Sequence, residues 1–346
     1  MRIVLGIESS CDETAMALVR EDGTVLAHAL ATQRDDHAPY GGVVPEIAAR
    51  AHLAQIDRLY RATMAEAGMT IAQVDAVAVT SGPGLIGGVM VGVMLAKAIA
   101  AAADKPLISI NHLEGHALTV RLTDKVPFPY FLLLISGGHC QQLVVRGVGD
   151  YVRLGGTLDD ALGEAFDKCA KMLGLPYPGG PELENAARLG NPKAYAFPRP
   201  LRGVAGCDFS FSGLKTAVRL VIEKEVARVG SLTPQIIHDV AASFQAAVLE
   251  VLDDRVGNAL AMVTDTHGVR ALAVAGGVAA NQAIGDGLRQ LAAAHGLPLV
   301  VAPPALCTDN GVMIAWAGME RLMAGVTDSL DIEPRARWPL TELAAV

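Results

Sequence analysis

Two histidines four residues apart are the first side chains in this sequence that suggest chemistry. His112 and His116 lie in the stretch NHLEGHAL, with Glu114 between them. Residues i and i+4 share one face of a helix, so both imidazoles can reach a single metal ion. Two ordinary polar histidines at the start of a helix fit this short pattern equally well.

The order of residues around the histidines disfavours a metallopeptidase. An HExxH motif has glutamate directly after the first histidine, where this chain has Leu113. Glu114 instead projects about 200° around the helix from His112. A peptidase therefore stays only a weak alternative hypothesis.

A third metal ligand would have to come from elsewhere in the chain. Asp309 in CTDNGVM is the best candidate because it sits at the predicted start of the last helix, although helix capping alone would also explain an aspartate there. Two imidazoles and one carboxylate leave coordination positions open and suit Fe(II), Zn or Mn.

Three glycine-rich turns are candidate ligand contacts. SGPGLIG (81–87) matches GxGxxG, but the next strand ends in Ser109-Ile110-Asn111, without the carboxylate of an NAD site. At ISGGHC (135–140), backbone N–H groups can approach a phosphate or carboxylate, although an ordinary hairpin also needs glycine. AGGVAAN (275–281) can lie against a nucleoside or simply permit close helix packing.

Composition limits the class of protein. The chain is 51% hydrophobic with a net charge of −8, which is typical of a packed α/β enzyme and disfavours general nucleic-acid affinity. Five scattered cysteines without a CxxC motif indicate a reducing compartment. Glu8 interrupts any signal-peptide core, and Lys97 breaks the longest apolar run. We therefore expect a soluble cytoplasmic protein that does not enter a membrane.

One segment is basic despite the acidic total. Between Lys193 and Arg219 lie five basic residues, one acid and interleaved phenylalanines, which makes the segment a candidate RNA contact surface. A solvated loop with core phenylalanines is the alternative. The residues are Lys193, Arg199, Arg202, Lys215 and Arg219, with Asp208 and with Phe197, Phe209 and Phe211.

Strand and helix patterns alternate and appear twice. A hairpin (3–7 and 15–19), a strand (25–32), a helix from Pro45 to Gly68 and a βαβ unit come first. A second hairpin follows Pro129, then a helix from Leu158 capped by Thr157 and Asp160, a helix from Thr233-Pro234, another βαβ unit, and a last helix capped by Thr308 and ending at Met323.

This repeat predicts two similar α/β domains with a cleft between them. We expect residues 1–128 to form the first domain, with a C-terminal helix at about 309–346 packing back on it. Residues 129–308 would form the second domain, with an inserted loop region at 175–213.

Together these motifs resemble one family. GIESSCDET, YGGVVPEIAAR, TSGPGLIGG, NHLEGH, LLISGGH, GEAFDKCAK, YPGGPELE, FSFSGLKT, AGGVAANQ and CTDNG occur in the order typical of the tRNA N(6)-adenosine threonylcarbamoyltransferases of the bacterial TsaD type. The resemblance spans Ile3 to about Met323. It implies two tandem ribonuclease-H-like domains of the actin/hexokinase/Hsp70 type.

The resemblance also implies a reaction. The threonylcarbamoyl group would pass from threonylcarbamoyl-AMP to the exocyclic N(6) amine of the adenosine 3′ of the anticodon, in tRNAs reading codons that start with A. Bacterial members act with an inactive paralogue of the TsaB type and a small ATPase of the TsaE type. A non-catalytic, ATP-dependent switch of the same fold is the third hypothesis.

Site residues follow by resemblance. His112, His116 and Asp309 would hold one divalent ion, with Fe(II) favoured over Zn or Mn. The adenylate would contact Leu134, Ile135, Ser136, Gly137, Gly138, Asp167, Gly180, Glu184 and Asn281. We add Asp12 and Glu13 as candidate catalytic carboxylates, because a base near the amine is required. Arg199, Arg202 and Lys215 are the candidate tRNA contacts.

Overall fold

The computed structural model describes residues 1–40 and 42–346, without the side chains of 264–267. Gly41, in the motif YGGVVPEIAAR, thus lies outside the described residues. The chain divides into two compact units. Unit 1 comprises Met1–Lys125, Arg146–Tyr151 and Thr308–Val346, and unit 2 comprises Val126–Val145 and Val152–Cys307.

The strands and helices alternate along the chain. The strands are β1 (Ile3–Glu8), β2 (Glu13–Arg20), β3 (Val25–Thr32), β4 (Ala76–Gly82), β5 (Leu107–Asn111), β6 (Tyr130–Ile135), β7 (Cys140–Gly147), β8 (Asp150–Gly156), β9 (Leu272–Ala275) and β10 (Leu299–Val301). The helices are α1 (Arg34–His37), α2 (Pro45–Glu66), α3 (Ile86–Ala103), α4 (His112–Asp124), α5 (Leu162–Met172), α6 (Gly179–Ala187), α7 (Ser212–Val229), α8 (Pro234–His267), α9 (Gln282–Ala294), α10 (Pro304–Cys307) and α11 (Gly311–Met323).

The two sheets have the same topology. The first has the order β3-β2-β1-β4-β5, and the second, counted from its other edge, has the order β8-β7-β6-β9-β10. The central strand of each sheet, β1 or β6, pairs antiparallel with the strand that follows it in the chain, β2 or β7. On its other side it pairs parallel with β4 or β9. The predicted repeat of two α/β domains is therefore confirmed.

The central strands of the unit 1 sheet are buried on both faces, whereas the edge strand β3 is partly exposed. Side chains of a strand alternate between its faces, so Leu5 and Ile7 join the core cluster that also contains Val89 and Val93 of α3. On the other face α11 approaches the sheet closely. A Cβ on Gly6 would collide with the backbone of Ala315 in α11, which explains the glycine in the middle of this strand.

After α11 the chain crosses the end of the sheet. The backbone N–H of Asp328 donates to the carbonyl of Leu107, where β5 begins. Further on, residues 335–338 pass the β4–α3 turn, and we call these four residues the C-terminal strap. Its contacts with unit 1 are described below.

Helix α3 is long and apolar enough to span a membrane by length and composition, with a hydropathy of 1.9 over 18 residues. Core helices of globular proteins meet the same criterion. One face of α3 lies in the core of unit 1, whereas Ile86, Met90 and Met94 are 45%, 48% and 58% exposed.

Several predicted elements differ in the structure. Helix α5 begins at Leu162 and not Leu158, because the Thr157 hydroxyl donates to the Asp160 carbonyl within a turn. The region 175–213, expected to be loop, contains α6, and helix α7 and strand β8 were not predicted.

The C-terminal helix also differs from expectation. It ends at Met323 as the pattern predicts, but residues up to 346 do not continue it, and only a 3-10 turn at Leu340–Glu342 follows. Its cap is Asn310, whose side-chain oxygen accepts from the Met313 N–H at 2.9 Å, and not Thr308.

Candidate functional site

Helix α4 carries both histidines from its first turn. The side-chain oxygen of Asn111 accepts from the Leu113 N–H at 2.9 Å and caps the helix. His112 and His116 are buried, and their ring centroids lie 4.8 Å apart. The sequence therefore places two imidazoles side by side on a capped, rigid helix.

Asp309 completes a three-residue set. Its Oδ1 atom lies 3.4 Å from His112 Nε2 and 3.1 Å from His116 Nε2. One ligand atom from each residue falls within 4.8 Å of the others. Donors bound to one ion at about 2.1 Å are separated by roughly 3.0–3.4 Å, so these residues fit a divalent metal. The structure brings together the three predicted ligands.

Glu8, at the end of β1, orients the first histidine. It is fully buried, and its Oε2 lies 3.0 Å from His112 Nδ1. The Ser10 N–H and the Thr80 hydroxyl also donate to its carboxylate, at 2.6 and 2.5 Å. A carboxylate that accepts the Nδ1 proton leaves the Nε2 lone pair for a metal. We did not identify Glu8 from the sequence, because one glutamate ending an apolar strand forms no pattern.

Charges in this set are strongly coupled. Burial raises the pKa of the Asp309 carboxyl, but the opposing effect of His112 and His116 is larger, so that this pKa lies well below its usual range. Burial lowers the pKa of His112, yet Asp309 and Glu8 raise it well above its usual range. An imidazolium thus compensates these carboxylates without a metal, and a divalent cation can replace that positive charge.

The second histidine has one unused ring atom. Within the described part of the chain, the buried Nδ1 of His116 has no hydrogen-bond partner. If Nε2–H donates to Asp309, Nδ1 keeps a lone pair that nothing satisfies. A metal on Nε2 would place the ring proton on Nδ1. The two states of His116 therefore differ in whether Nδ1 carries a proton.

Glu114 does not face the metal ligands. It is fully buried, and its Oε2 accepts from Arg321 Nε at 2.6 Å. Its Oε1 accepts from the Tyr151 hydroxyl at 3.0 Å and from the Gly149 N–H at 2.9 Å. This carboxylate joins α4 to α11 and to the β7–β8 turn. A peptidase that uses Glu114 as its base is thereby excluded.

Two further carboxyl groups lie at the tip of the β1–β2 hairpin. Burial, Asp309 and Asp12, in that order, raise the pKa of Glu13 to about 9, and a hydrogen bond links Glu13 to Asp12. The tip is held from beneath, because His52 Nε2 lies 3.0 Å from the Cys11 carbonyl and the Gln33 N–H donates to the Asp12 carbonyl. The candidate catalytic pair therefore lies beside the metal set within unit 1.

In unit 2 the predicted glycine turn joins β6 to β7. The side chains of Leu134 and Ile135 are fully buried in the strand. The Ser136 N–H donates to the His139 carbonyl, and the Gly163 N–H donates to the Ser136 carbonyl. A Cβ on Gly137 or Gly138 would meet no atom within 4 Å. Neither internal packing nor a positive φ therefore requires these two glycines, which lie exposed at the tip of the turn and can come close to a ligand.

Asp167 and Gly180 come together in the same unit. Asp167 Oδ1 accepts from the Gly179 N–H at 2.9 Å. Burial raises the pKa of this carboxyl, and the N–H groups of Gly179 and Gly180 partly offset that effect. Gly180 has open space where a side chain would start. This arrangement presents a half-buried carboxyl beside accessible backbone.

Glu184 and Asn281 already have structural partners. Glu184 accepts from the Gln282 N–H at 3.0 Å and from Arg188 at 2.9 Å. Asn281 caps α9 by accepting from the Ile284 N–H at 3.0 Å, and its amide nitrogen lies 3.1 Å from the Gln245 side-chain oxygen. Both residues fix the start of α9, so any ligand contact would come in addition to that role.

The basic segment does not form an aromatic RNA platform. Phe197, Phe209 and Phe211 are core residues at 4%, 0% and 0% exposure, so the predicted aromatic component is wrong. Four of the five cations of this segment have acidic partners, with Lys193 the exception among the described residues. Arg199 and Arg202 both pair with Glu250, and Lys215 lies 2.7 Å from Asp160. These acids are distant in sequence, which is why the segment looked unbalanced.

The two equivalent five-stranded sheets and the His-His-Asp set define the class of protein: a two-domain α/β protein of the actin/hexokinase/Hsp70-like fold with a candidate metal centre. Solved structures agree on the fold. HypF from T. kodakarensis aligns with a TM-score of 0.62 at 15% identity, over 94% of this chain and 48% of that chain. Component A of (R)-2-hydroxyglutaryl-CoA dehydratase from Acidaminococcus fermentans aligns with a TM-score of 0.51 at 13% identity, over 94% and 100%.

The chain belongs to the tRNA N6-adenosine threonylcarbamoyltransferase (TsaD) family, whose profile matches residues 24–316. Proteins of that name from Brucella anthropi and Brucella canis are each 57% identical over 349 residues, covering 99% of this chain and 96% of theirs. The predicted family and fold are confirmed. The chain is thus an acyltransferase acting in tRNA threonylcarbamoylation.

Proposed function

We propose that this enzyme transfers the threonylcarbamoyl group from threonylcarbamoyl-AMP to the N(6) amine of the adenosine 3′ of the anticodon, in tRNAs reading codons that start with A. The observation that carries the proposal is the buried set of His112, His116 and Asp309, oriented by Glu8. Membership of the family identifies the transferred group and tRNA as the acceptor. The donor and the position of the adenosine are our inference.

We propose Fe(II) as the native ion at these three ligands, with Zn and Mn as the alternatives that the donor set also suits. When bound, the ion supplies a Lewis acid for negative charge on the donor's phosphate or carbamoyl oxygen. Glu8 keeps the His112 ring in the tautomer that ligation needs.

The adenylate donor would bind to unit 2. The exposed turn at Gly137 and Gly138 supports this assignment, because phosphate oxygens accept hydrogen bonds from exposed N–H groups. Gly180 adds open space beside Asp167 for the rest of the donor. The half-buried carboxyl of Asp167 suits a ribose hydroxyl. Glu184 and Asn281 would act mainly by holding α9 in place.

Proton handling would fall to Asp12 and Glu13. The exocyclic amine must lose a proton during acyl transfer, and two hydrogen-bonded carboxyls can exchange one proton between them. Alanine at both positions should lower the single-turnover transfer rate roughly 10²–10⁴-fold while donor binding persists. An unchanged rate would remove this pair from the mechanism.

Protein partners are also part of the proposal. We expect an inactive paralogue of the TsaB type and a small ATPase of the TsaE type, acting with the enzyme in the cytoplasm. The exposed apolar face of α3 supports a protein partner, since Ile86, Met90 and Met94 repeat at helical spacing. Helix α2, which packs against α3, also exposes Leu53, at 70%. Met90→Glu should abolish co-elution with the paralogue but leave the fold intact.

One experiment tests the function as a whole. The enzyme, its partners and an enzyme that makes threonylcarbamoyl-AMP are incubated with tRNA, threonine, bicarbonate and ATP, and the tRNA nucleosides are then analysed by mass. Threonylcarbamoyladenosine should appear with the wild type and be lost with His112→Ala and His116→Ala. A wild-type reaction without that nucleoside contradicts the proposal. Product from externally added threonylcarbamoyl-AMP, with ATP omitted, separates acyl transfer from donor synthesis.

A further inference from the structure

The C-terminal strap is tied to unit 1 through its backbone. The Arg335 N–H donates to the Ser81 carbonyl at 2.7 Å, and the Ala336 carbonyl accepts from the Gly84 N–H at 3.3 Å. Gly82 lies between these two anchors with a φ of +142°, and a Cβ there would collide with the Arg335 carbonyl. The β4–α3 turn is thus shaped to receive the strap.

The strap is also joined to the helix that carries the histidines. The Asn111 side-chain nitrogen donates to the Trp338 carbonyl at 2.8 Å, while its oxygen caps α4. One asparagine therefore holds both the strap and the helix that begins at His112. Whatever binds the strap lies next to the start of the metal-ligating helix.

The strap exposes two arginines without a carboxylate partner among the described residues. Arg335 and Arg337 are exposed, and within the described chain neither forms an ion pair. Glu333, two residues before Arg335, pairs with neither. The Arg335 guanidinium lies 4.9 Å from the centre of the Trp338 ring, which restrains the side chain and leaves its N–H groups available. By contrast, Arg199, Arg202 and Lys215 are already paired with nearby carboxylates.

We propose that the strap is an RNA-binding surface, on which Arg335 and Arg337 hold the phosphate backbone of the tRNA beside the metal helix. This inference rests on the proposed function, because it assumes that tRNA is the acceptor. A protein with a net charge of −8 needs local unpaired cations to bind RNA, and guanidinium groups match phosphate oxygens in pairs. Phosphate contacts position an RNA without reading its sequence.

The test measures tRNA binding at several salt concentrations. The wild-type enzyme, assembled with its partners, is titrated against labelled tRNA between about 50 and 200 mM salt, and log Kd is plotted against log salt concentration. In Arg335→Ala/Arg337→Ala the slope should fall by about 1.5, and the KM for tRNA should rise roughly ten-fold with kcat unchanged. Arg335→Lys/Arg337→Lys should retain most of the slope.

A matched control removes two other cations. Arg2 and Arg270 are exposed and form no ion pair among the described residues, so Arg2→Ala/Arg270→Ala should leave the slope unchanged. Should the strap double variant fail to fold, Arg337→Ala alone answers the question, because Arg337 is not stacked on Trp338. Its slope should fall by about 0.8.

The outcomes are distinguishable. Equal slopes for the wild type and the strap alanine variants, with a wild type that binds and modifies tRNA, overturn the strap inference and leave the proposed function standing. A wild type that neither binds nor modifies tRNA overturns both. An equal loss in the Arg2/Arg270 control would show a general charge effect and would also overturn the strap inference.

Discussion

Replacing Glu8 by glutamine tests whether this residue tunes the metal centre. Its carboxylate accepts from His112 Nδ1, Ser10 N–H and the Thr80 hydroxyl, all from a fully buried position. Glutamine keeps the shape but has one acceptor oxygen in place of two. Its amide nitrogen must face at least one of these donors. The charge-assisted bond to His112 is lost in either amide orientation.

The expected magnitude follows from this geometry. Loss of a carboxylate behind a ligating histidine typically weakens metal affinity about 10–100-fold, equivalent to roughly 1.4–2.7 kcal/mol. The unmatched donor should also lower the free energy of unfolding by about 1–3 kcal/mol. Glu8→Ala should cost more, because three buried donors then lose their acceptor.

Zn(II) titration against a chromophoric chelator measures the affinity, and chemical denaturation measures the stability. Asp328→Asn is the matched control, since its carboxylate accepts from the Ser109 N–H at 2.8 Å in the same unit without facing the metal set. Zn(II) affinity within three-fold of wild type for Glu8→Gln, at normal folding, would refute the reasoning. An equal loss in Asp328→Asn would refute it too.

Three further predictions concern pH, Glu114 and the glycine turn. Burial lowers the pKa of His112, but Asp309 and Glu8 raise it well above 6.5. The free energy of unfolding of the metal-free protein should therefore fall as pH rises from about 6.5 through that raised pKa, as denaturation at several pH values would show. Zn(II) affinity, measured by titration at the same pH values, should increase over this interval. A free energy of unfolding that rises, or a Zn(II) affinity that falls, over this pH interval would contradict the raised pKa of His112. Glu114→Gln leaves the buried Arg321 uncompensated and should cost about 3–5 kcal/mol by denaturation, whereas the double variant with Arg321→Met should recover part of that loss. Gly138→Val should leave the melting temperature unchanged, because a Cβ at this position meets no atom within 4 Å, and it should weaken AMP binding measured by calorimetry. Normal AMP binding by this variant would place the adenylate elsewhere.

Much of the fold could be predicted because its signals are local. The β1–β2 hairpin follows from two apolar runs around a polar turn, and α8 begins at Thr233-Pro234 because the threonine side chain accepts from the Ile236 N–H. The start of α5 was wrong for an instructive reason. Thr157 and Asp160 have the spacing of a cap, but their hydrogen bond closes a turn before the helix.

In the candidate site, too, only the residues with a local sequence signal could be predicted. Two histidines at helical spacing are visible in the sequence, and Asp309 stands out at the predicted start of the last helix, a choice that the family resemblance supports. Glu8 could not be found, since its contact with His112 joins residues 104 positions apart. The partners of Arg199 and Arg202 were missed because Glu250 lies on α8, about fifty residues further along. Charge density along a sequence therefore does not measure free charge on a surface.

The metal set joins distant parts of the chain, and this has a consequence for biosynthesis. His116 and Asp309 are 193 residues apart, and α11, which follows Asp309, also covers one face of the first sheet. A nascent chain that has emerged only as far as α10 therefore lacks both a ligand and part of the core of unit 1. Such a chain cannot hold the ion in this three-residue site. A metal ion held by this set would thus be loaded only after Asp309 has emerged from the ribosome.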